Sequence, residues 1–182
     1  MMGRLKKRKI DEIIVREGGA KYTNDPNDSG KGTRFGITES VARDNGYTGH
    51  MRDLPRSFAF EIYATEYWDR VWADDLVQIS ERVAEEVVDT AVNTGSVQAG
   101  EFLQQSLNVL NRAERLYADI AVDGSIGPAT ISALDSYVTH RSDDVLLKAL
   151  NCLQGAFYIG LATRREKDER FVYGWLKNRV VI

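Results

Sequence analysis

Glu17 closes a short amphipathic segment and is followed at once by Gly18-Gly19. The irregular run behind it, AKYTNDPNDSGKGTRFGIT, supplies two aspartates, Asp25 and Asp28, and the hydroxyl of Thr33. An acid at the end of a packed helix has its backbone held in place, while flanking glycines let a ligand come close. Two carboxyl groups on either side of a bond, one protonated and one ionised, are the recurring apparatus of glycoside hydrolysis. In that chemistry Glu17 is the general acid, Asp28 or Asp25 the second carboxylate, and Thr33 a group that orients water. The same residues also read as ordinary punctuation, an exposed helix-end acid followed by turn formers. Spacing alone leaves both readings open.

Other chemistries find less support. His50 and His140 lie far apart and, with one cysteine, do not make a zinc site; both read as surface or loop residues. GKGT lacks the full phosphate-loop spacing. Asp25, Asn27, Ser29 and Gly30 match four positions of a calcium loop, but Gly36 stands where the bidentate glutamate is required. Two histidines are too few to argue a Ser-His-Asp triad. No metal or other cofactor is expected, since acid catalysis needs none.

The elements that must position these groups are mostly helical. Residues 8–17 place Ile10, Ile13 and Ile14 on one face before the glycine pair halts the helix. Ser57 is expected to cap a helix over 58–70 carrying Phe58, Ile62, Tyr63 and Trp68. Ser80 opens another, with Val83, Val87, Val88, Ala91 and Val92 inward, ending at Gly95. Helices follow over 97–111, 128–139 with Pro128 in its first turn, 143–163 headed by Asp143 and Asp144, and 168–179. Strand signals are confined to a short hairpin around 33–37. The expected fold class is mainly α, with a small β-hairpin or irregular loop beside the acid.

At 182 residues with 43% apolar and 28% charged residues, the chain has the composition of a folded globular protein. A net charge of −3 gives no reason to expect nucleic acid as a partner. The exception is Arg4, Lys6, Lys7, Arg8 and Lys9, which read as a solvated or frayed terminus ahead of an interaction tail. Asp11 and Glu12 follow too soon for a signal peptide. No window reads as long and apolar enough to cross a bilayer, so no stable membrane insertion is expected. Cys152, within LLKALNCLQGAFYIGLA, is expected to be a buried, inert thiol.

The stretch IIVREGGAKYTNDPNDSGKGTRFGIT resembles the opening of glycoside hydrolase family 108, the N-acetylmuramidases found among phage endolysins and related bacterial enzymes. Glu17, Gly18, Gly19, Asn24, Pro26, Asp28, Gly32, Thr33, Gly36, Ile37 and Thr38 match the family pattern once one extra residue is allowed before Asn24. Ala20 replaces the usual tyrosine, with Tyr22 displaced by two, and Lys31 replaces a glycine. YATEYWDRV, EEVVDTAVNTGSVQAGEFLQQSLNVLN and the closing FVYGWLKNRV are also similar to the family. DGSIGPATISAL, residues 123–134, resembles the core of helical peptidoglycan-binding modules.

The resemblance implies a lysozyme-like fold with a catalytic portion over 1–95 and a helical peptidoglycan-binding portion over 96–182 packed against it. It implies hydrolysis of the β-1,4 bond between N-acetylmuramic acid and N-acetylglucosamine of bacterial peptidoglycan. Glu17 matches the family's catalytic glutamate; Asp28 is the first choice for the second acid, with Asp25 behind it. Tyr22, Phe35, Tyr63, Trp68 and Tyr158 are candidate sugar-stacking rings, of which one or two are expected to touch glycan. Gly36 would line the site. Asn93 either donates to an N-acetyl group or caps its helix. An endolysin of this kind would act as a monomer, made in the host cytoplasm and released to the wall by a holin-type protein. A lytic transglycosylase and a non-catalytic peptidoglycan-binding protein are the rival classes.

Overall fold

The computed structural model describes residues 2–24 and 32–180, which form two compact units, one up to Asp69 and one from Arg70. The first unit begins with α1 (Met2–Arg16), which buries Ile10, Ile13 and Ile14 on one stripe. The cationic run forms the first turns of this helix, with Arg4, Lys7 and Arg8 solvated as expected. Lys6 pairs with Asp69 at 2.5 Å, and Arg56 pairs with Asp11 at 2.6 Å.

Three short strands follow as an antiparallel meander: β1 (Tyr22–Asn24), β2 (Gly32–Arg34) and β3 (Ile37–Thr38). Tyr22 stands opposite Arg34, and Thr33 stands between Thr23 and Thr38. The expected hairpin is thus present, with a third strand added. Thr38 then caps α2 (Glu39–Asp44), its hydroxyl accepting from the Val41 amide.

A 3-10 turn (Met51–Asp53) leads to α3 (Arg56–Ile62), capped by Pro55 and not by Ser57. Pro55 holds φ at −68°, and its carbonyl accepts from both the Phe58 and Ala59 amides, so the helix starts before the serine. After Ile62 the chain widens into a π-helix over Tyr63–Asp69 where a continuous α-helix was expected. π-helical turns are rare and are frequent at functional sites.

The second unit is a helical bundle. It contains α4 (Ala73–Ile79), α5 (Glu81–Thr94), α6 (Ser96–Leu110), α7 (Pro128–His140), α8 (Asp143–Arg164) and α9 (Glu169–Arg179). Ser80 caps α5 by accepting the Val83 amide, and Gly95, at φ +94°, ends it. Pro128 sits in the first turn of α7, as its missing N–H allows. α5 packs on α4, α6 and α8, and α8 also contacts α6 and α9.

Two expectations about α8 need correction. By length and composition it is apolar enough to cross a membrane. Its inner face, however, carries buried Asn151 and Gln154 beside Leu146, Leu150 and Tyr158, and it packs on three other helices as a core element. Cys152 is exposed, because one residue beyond Asn151 turns it about 100° off that face.

Inside the bundle, Gln104 organises the loop at 123–125. Its Oε1 accepts from the Asp123 and Gly124 amides at 3.0 and 2.8 Å. Its Nε2 donates to Asp123 Oδ1 and the Ser125 carbonyl at 2.9 and 3.1 Å. The side chain is 2% exposed, so this DGS loop is held from within and is more than helix punctuation.

Candidate active site

The Glu17 amide still donates to the Ile13 carbonyl at 2.9 Å, so the acid's backbone is the last ordered turn of α1. Gly18 and Gly19 then take φ of +108° and +55°, conformations that favour glycine, and reverse the chain. The Gly19 carbonyl accepts from the Phe35 amide at 3.0 Å. That bond staples the end of α1 to the β2–β3 turn.

Across this turn the packing is tight. A Cβ placed on Gly36, which has φ +75°, would fall 2.6 Å from Glu17 Cβ and 2.5 Å from Tyr63 Oη. Tyr63, from the π-helix, donates its hydroxyl to the Phe35 carbonyl at 3.1 Å and is 3% exposed. Burial, and secondarily the Glu17 carboxylate, pushes the Tyr63 phenol well above its ordinary range, so it remains a donor. Gly36 and Tyr63 thus clamp Glu17 from one side. The acid's side chain keeps about a fifth of its surface open (22%), with the Arg16 guanidinium 3.9 Å away.

The other expected site residues separate into groups. Asp25 and Asp28, and the calcium-loop match at Asp25, Asn27, Ser29 and Gly30, lie outside the described residues; among the described residues no cluster of acids, histidines or cysteine could hold a metal. Thr33 is half-buried in the middle of β2. Tyr22 is half-buried, with Arg52 5.1 Å from its ring centre. Phe35, Tyr63, Trp68 and Tyr158 are 6%, 3%, 2% and 3% exposed, so their rings are packing elements and present no face to a sugar. Asn93 and Tyr158 belong to the second unit. Both amide hydrogen bonds found for Asn93 go to Asp89, its carbonyl at 2.7 Å and its carboxylate at 3.2 Å, an attachment one turn back along α5.

Sequence reasoning did not single out Tyr67, Arg34 or Arg52, and it read His50 only as a surface or loop residue, which is exposed here. Tyr67 is half-buried with its ring centre 5.6 Å from that of Tyr63, and the YATEYW segment was the signal for it. Arg34, His50 and Arg52 gather around Tyr22 from β2 and the 3-10 turn. No periodicity reveals that grouping, because it joins segments separated by a loop.

Comparison with known proteins agrees with this architecture. Residues 10–95 match the model of glycosyl hydrolase 108, and residues 98–180 match that of a predicted peptidoglycan domain. Among solved structures, the chain is similar to SagA of Brucella abortus, with a TM-score of 0.65 at 21% identity over the full length of both chains. That likeness shows a shared fold. No curated protein matches the chain.

A mainly helical chain with a small sheet bonded to the end of its acid-bearing first helix, carrying these two regions in this order, is a peptidoglycan hydrolase. Its residues 10–95 belong to glycosyl hydrolase 108, and it is a glycosidase that acts on peptidoglycan.

Proposed function

We propose that the chain is an N-acetylmuramidase that hydrolyses the β-1,4 bond between N-acetylmuramic acid and N-acetylglucosamine, with Glu17 as general acid. The observation that carries this reading is the clamp on Glu17. The end of α1 holds Glu17, the Gly36 turn closes on its Cβ, and buried Tyr63 is bonded to that turn, while the side chain stays partly open. An acid fixed by three elements meets the positional demand of proton transfer to a leaving oxygen.

Asp28, with Asp25 behind it, supplies the second carboxylate in this reading, and Thr33 helps hold the water. A carboxyl separation of ~5–5.5 Å would give retention and ~6.5–9.5 Å inversion. Tyr67 and the open part of Tyr22 replace the buried rings as sugar-contacting candidates. Residues 1–95 form the catalytic portion and 96–182 the portion that holds peptidoglycan. The lytic role of a monomeric endolysin, with passage from cytoplasm to wall through a holin-type partner, rests on the family resemblance.

Mass spectrometry of the products released from purified peptidoglycan tests the assignment. Reducing N-acetylmuramic acid ends are expected. Reducing N-acetylglucosamine ends would make the enzyme a glucosaminidase, and 1,6-anhydro ends a lytic transglycosylase.

A further inference from the structure

Around the small sheet, whose β2–β3 turn is bonded to the end of α1, sits a group of side chains that take no part in the proton transfers of the hydrolytic reaction. Tyr22 in β1 faces Arg34 in β2. Arg34 donates through Nη1 to the Arg52 carbonyl, and its guanidinium lies 5.0 Å from the centre of the Phe35 ring. Arg52, in the 3-10 turn, lies 5.1 Å over the Tyr22 ring. His50 stands 6.2 Å from that ring, and its Nδ1 accepts from the Arg52 amide at 3.1 Å. In the neutral imidazole that bond leaves the proton on Nε2, a further donor.

Every side chain in the group other than Phe35 can donate a hydrogen bond. Among the described residues neither Arg34 nor Arg52 has a carboxylate partner, although Asp53 follows Arg52 directly. Arg34 Nε is buried with no hydrogen-bond partner, and Arg52 is exposed. Stacking on aromatic rings fixes the plane of a guanidinium and reduces the entropy lost when it takes a ligand. A fixed guanidinium matches a carboxylate in a two-bond fork. In a chain of net charge −3, an acidic substrate is repelled overall, so a local cationic ledge has a clear role.

We propose that Arg52 and Arg34, oriented by Tyr22, Phe35 and His50, form a subsite for a carboxylate carried on the glycan strand. This rests on the muramidase reading of the neighbouring acid. Peptidoglycan offers two sources of that group, the lactyl carboxylate of a muramic acid stripped of its peptide and the carboxylates of an attached stem peptide.

The test uses the full chain carrying Glu17→Gln, so that ligands survive, and measures dissociation constants by calorimetry. Three ligands are compared: a neutral N-acetylglucosamine oligomer, a glycan strand freed of its peptides by an amidase, and a strand bearing stem peptides. At least one acidic ligand is expected to bind about tenfold or more tightly than the neutral one, as a charge-assisted pair implies. Preference for the stripped strand assigns the lactyl group; preference only for the peptide-bearing strand assigns the stem peptide. Adding Arg52→Ala, an exposed position chosen to spare the fold, should reduce that preference by roughly tenfold, with Arg52→Lys recovering part of it. Salt should weaken the acidic ligand more than the neutral one.

Equal binding of acidic and neutral ligands, or an unchanged preference in the Arg52→Ala protein, overturns the subsite while leaving the muramidase reading intact. Failure of that reading would appear separately, as no product from the unmodified enzyme and no binding of any of the three glycans. That outcome removes the subsite as well.

Discussion

The hydroxyl of Tyr63 donates to the main-chain carbonyl of Phe35 across 3.1 Å, beside the Gly36 turn that closes on Glu17 Cβ. This bond ties the π-helix to the turn against which the acid rests. Tyr63→Phe removes the donor and leaves a buried carbonyl unpaired, at a cost of about 1–3 kcal/mol. Because the acid then loses a fixed neighbour, kcat should fall about tenfold with little change in KM. Chemical denaturation and steady-state kinetics on the same preparation check both parts.

Gly36 permits the approach. Alanine there would meet two non-hydrogen atoms within 2.6 Å and would have to hold φ at +75°. The left-handed backbone alone costs about 1–2 kcal/mol for a residue with a Cβ, and the displaced Glu17 should cost most of the activity. Gly36→Ala is expected to fold with reduced stability and to release little product; full activity would show that Glu17 does not need this wall.

In the second unit, the Glu86 carboxyl is pushed up to about 7 by burial and by neighbouring Asp89, with the Asn151 amide opposing the shift. The folded protein therefore binds this proton more tightly than the unfolded chain, whose carboxyl titrates near the ordinary 4.5. Stability from the protonated form is fully present below that lower value and is lost as pH rises through about 7. The loss is on the order of 3 kcal/mol across the window. Glu86→Gln should flatten this dependence and melt several degrees above the unmodified protein at pH 8; an unchanged pH profile would place Glu86 outside the linkage.

Gln104 offers a test of how the DGS loop is held. Gln104→Leu keeps the volume roughly constant but strips two backbone amides and one carboxylate of their buried partner. A loss of about 2–4 kcal/mol is expected, together with faster hydrogen exchange at Asp123 and Gly124. A neutral effect would mean that the loop is satisfied by water.

Much of this architecture was legible from local chemistry. Ser80 and Gly95 bracket α5, and Pro128 starts α7, because caps and ring constraints act within a few residues. Glu17 and its glycines could be singled out for the same reason. The π-helix could not, since Tyr63, Tyr67 and Trp68 satisfy an α-helical period equally well and the wider turn is selected by tertiary packing. The family resemblance placed Phe35, Tyr63, Trp68 and Tyr158 among possible sugar contacts, whereas burial makes them core. The Arg34, His50 and Arg52 group depends on strand register and on a distant 3-10 turn. Neither leaves a mark in the sequence.

The central claim is that Glu17 is the acid that cleaves the glycan. Release of soluble muropeptides from purified peptidoglycan should be compared for the unmodified enzyme and Glu17→Gln, with circular dichroism confirming equal folding. Release is expected to fall by a factor of about a hundred or more, in keeping with the usual worth of general acid catalysis. A Glu17→Gln protein that folds normally and releases product at the unmodified rate would contradict the account.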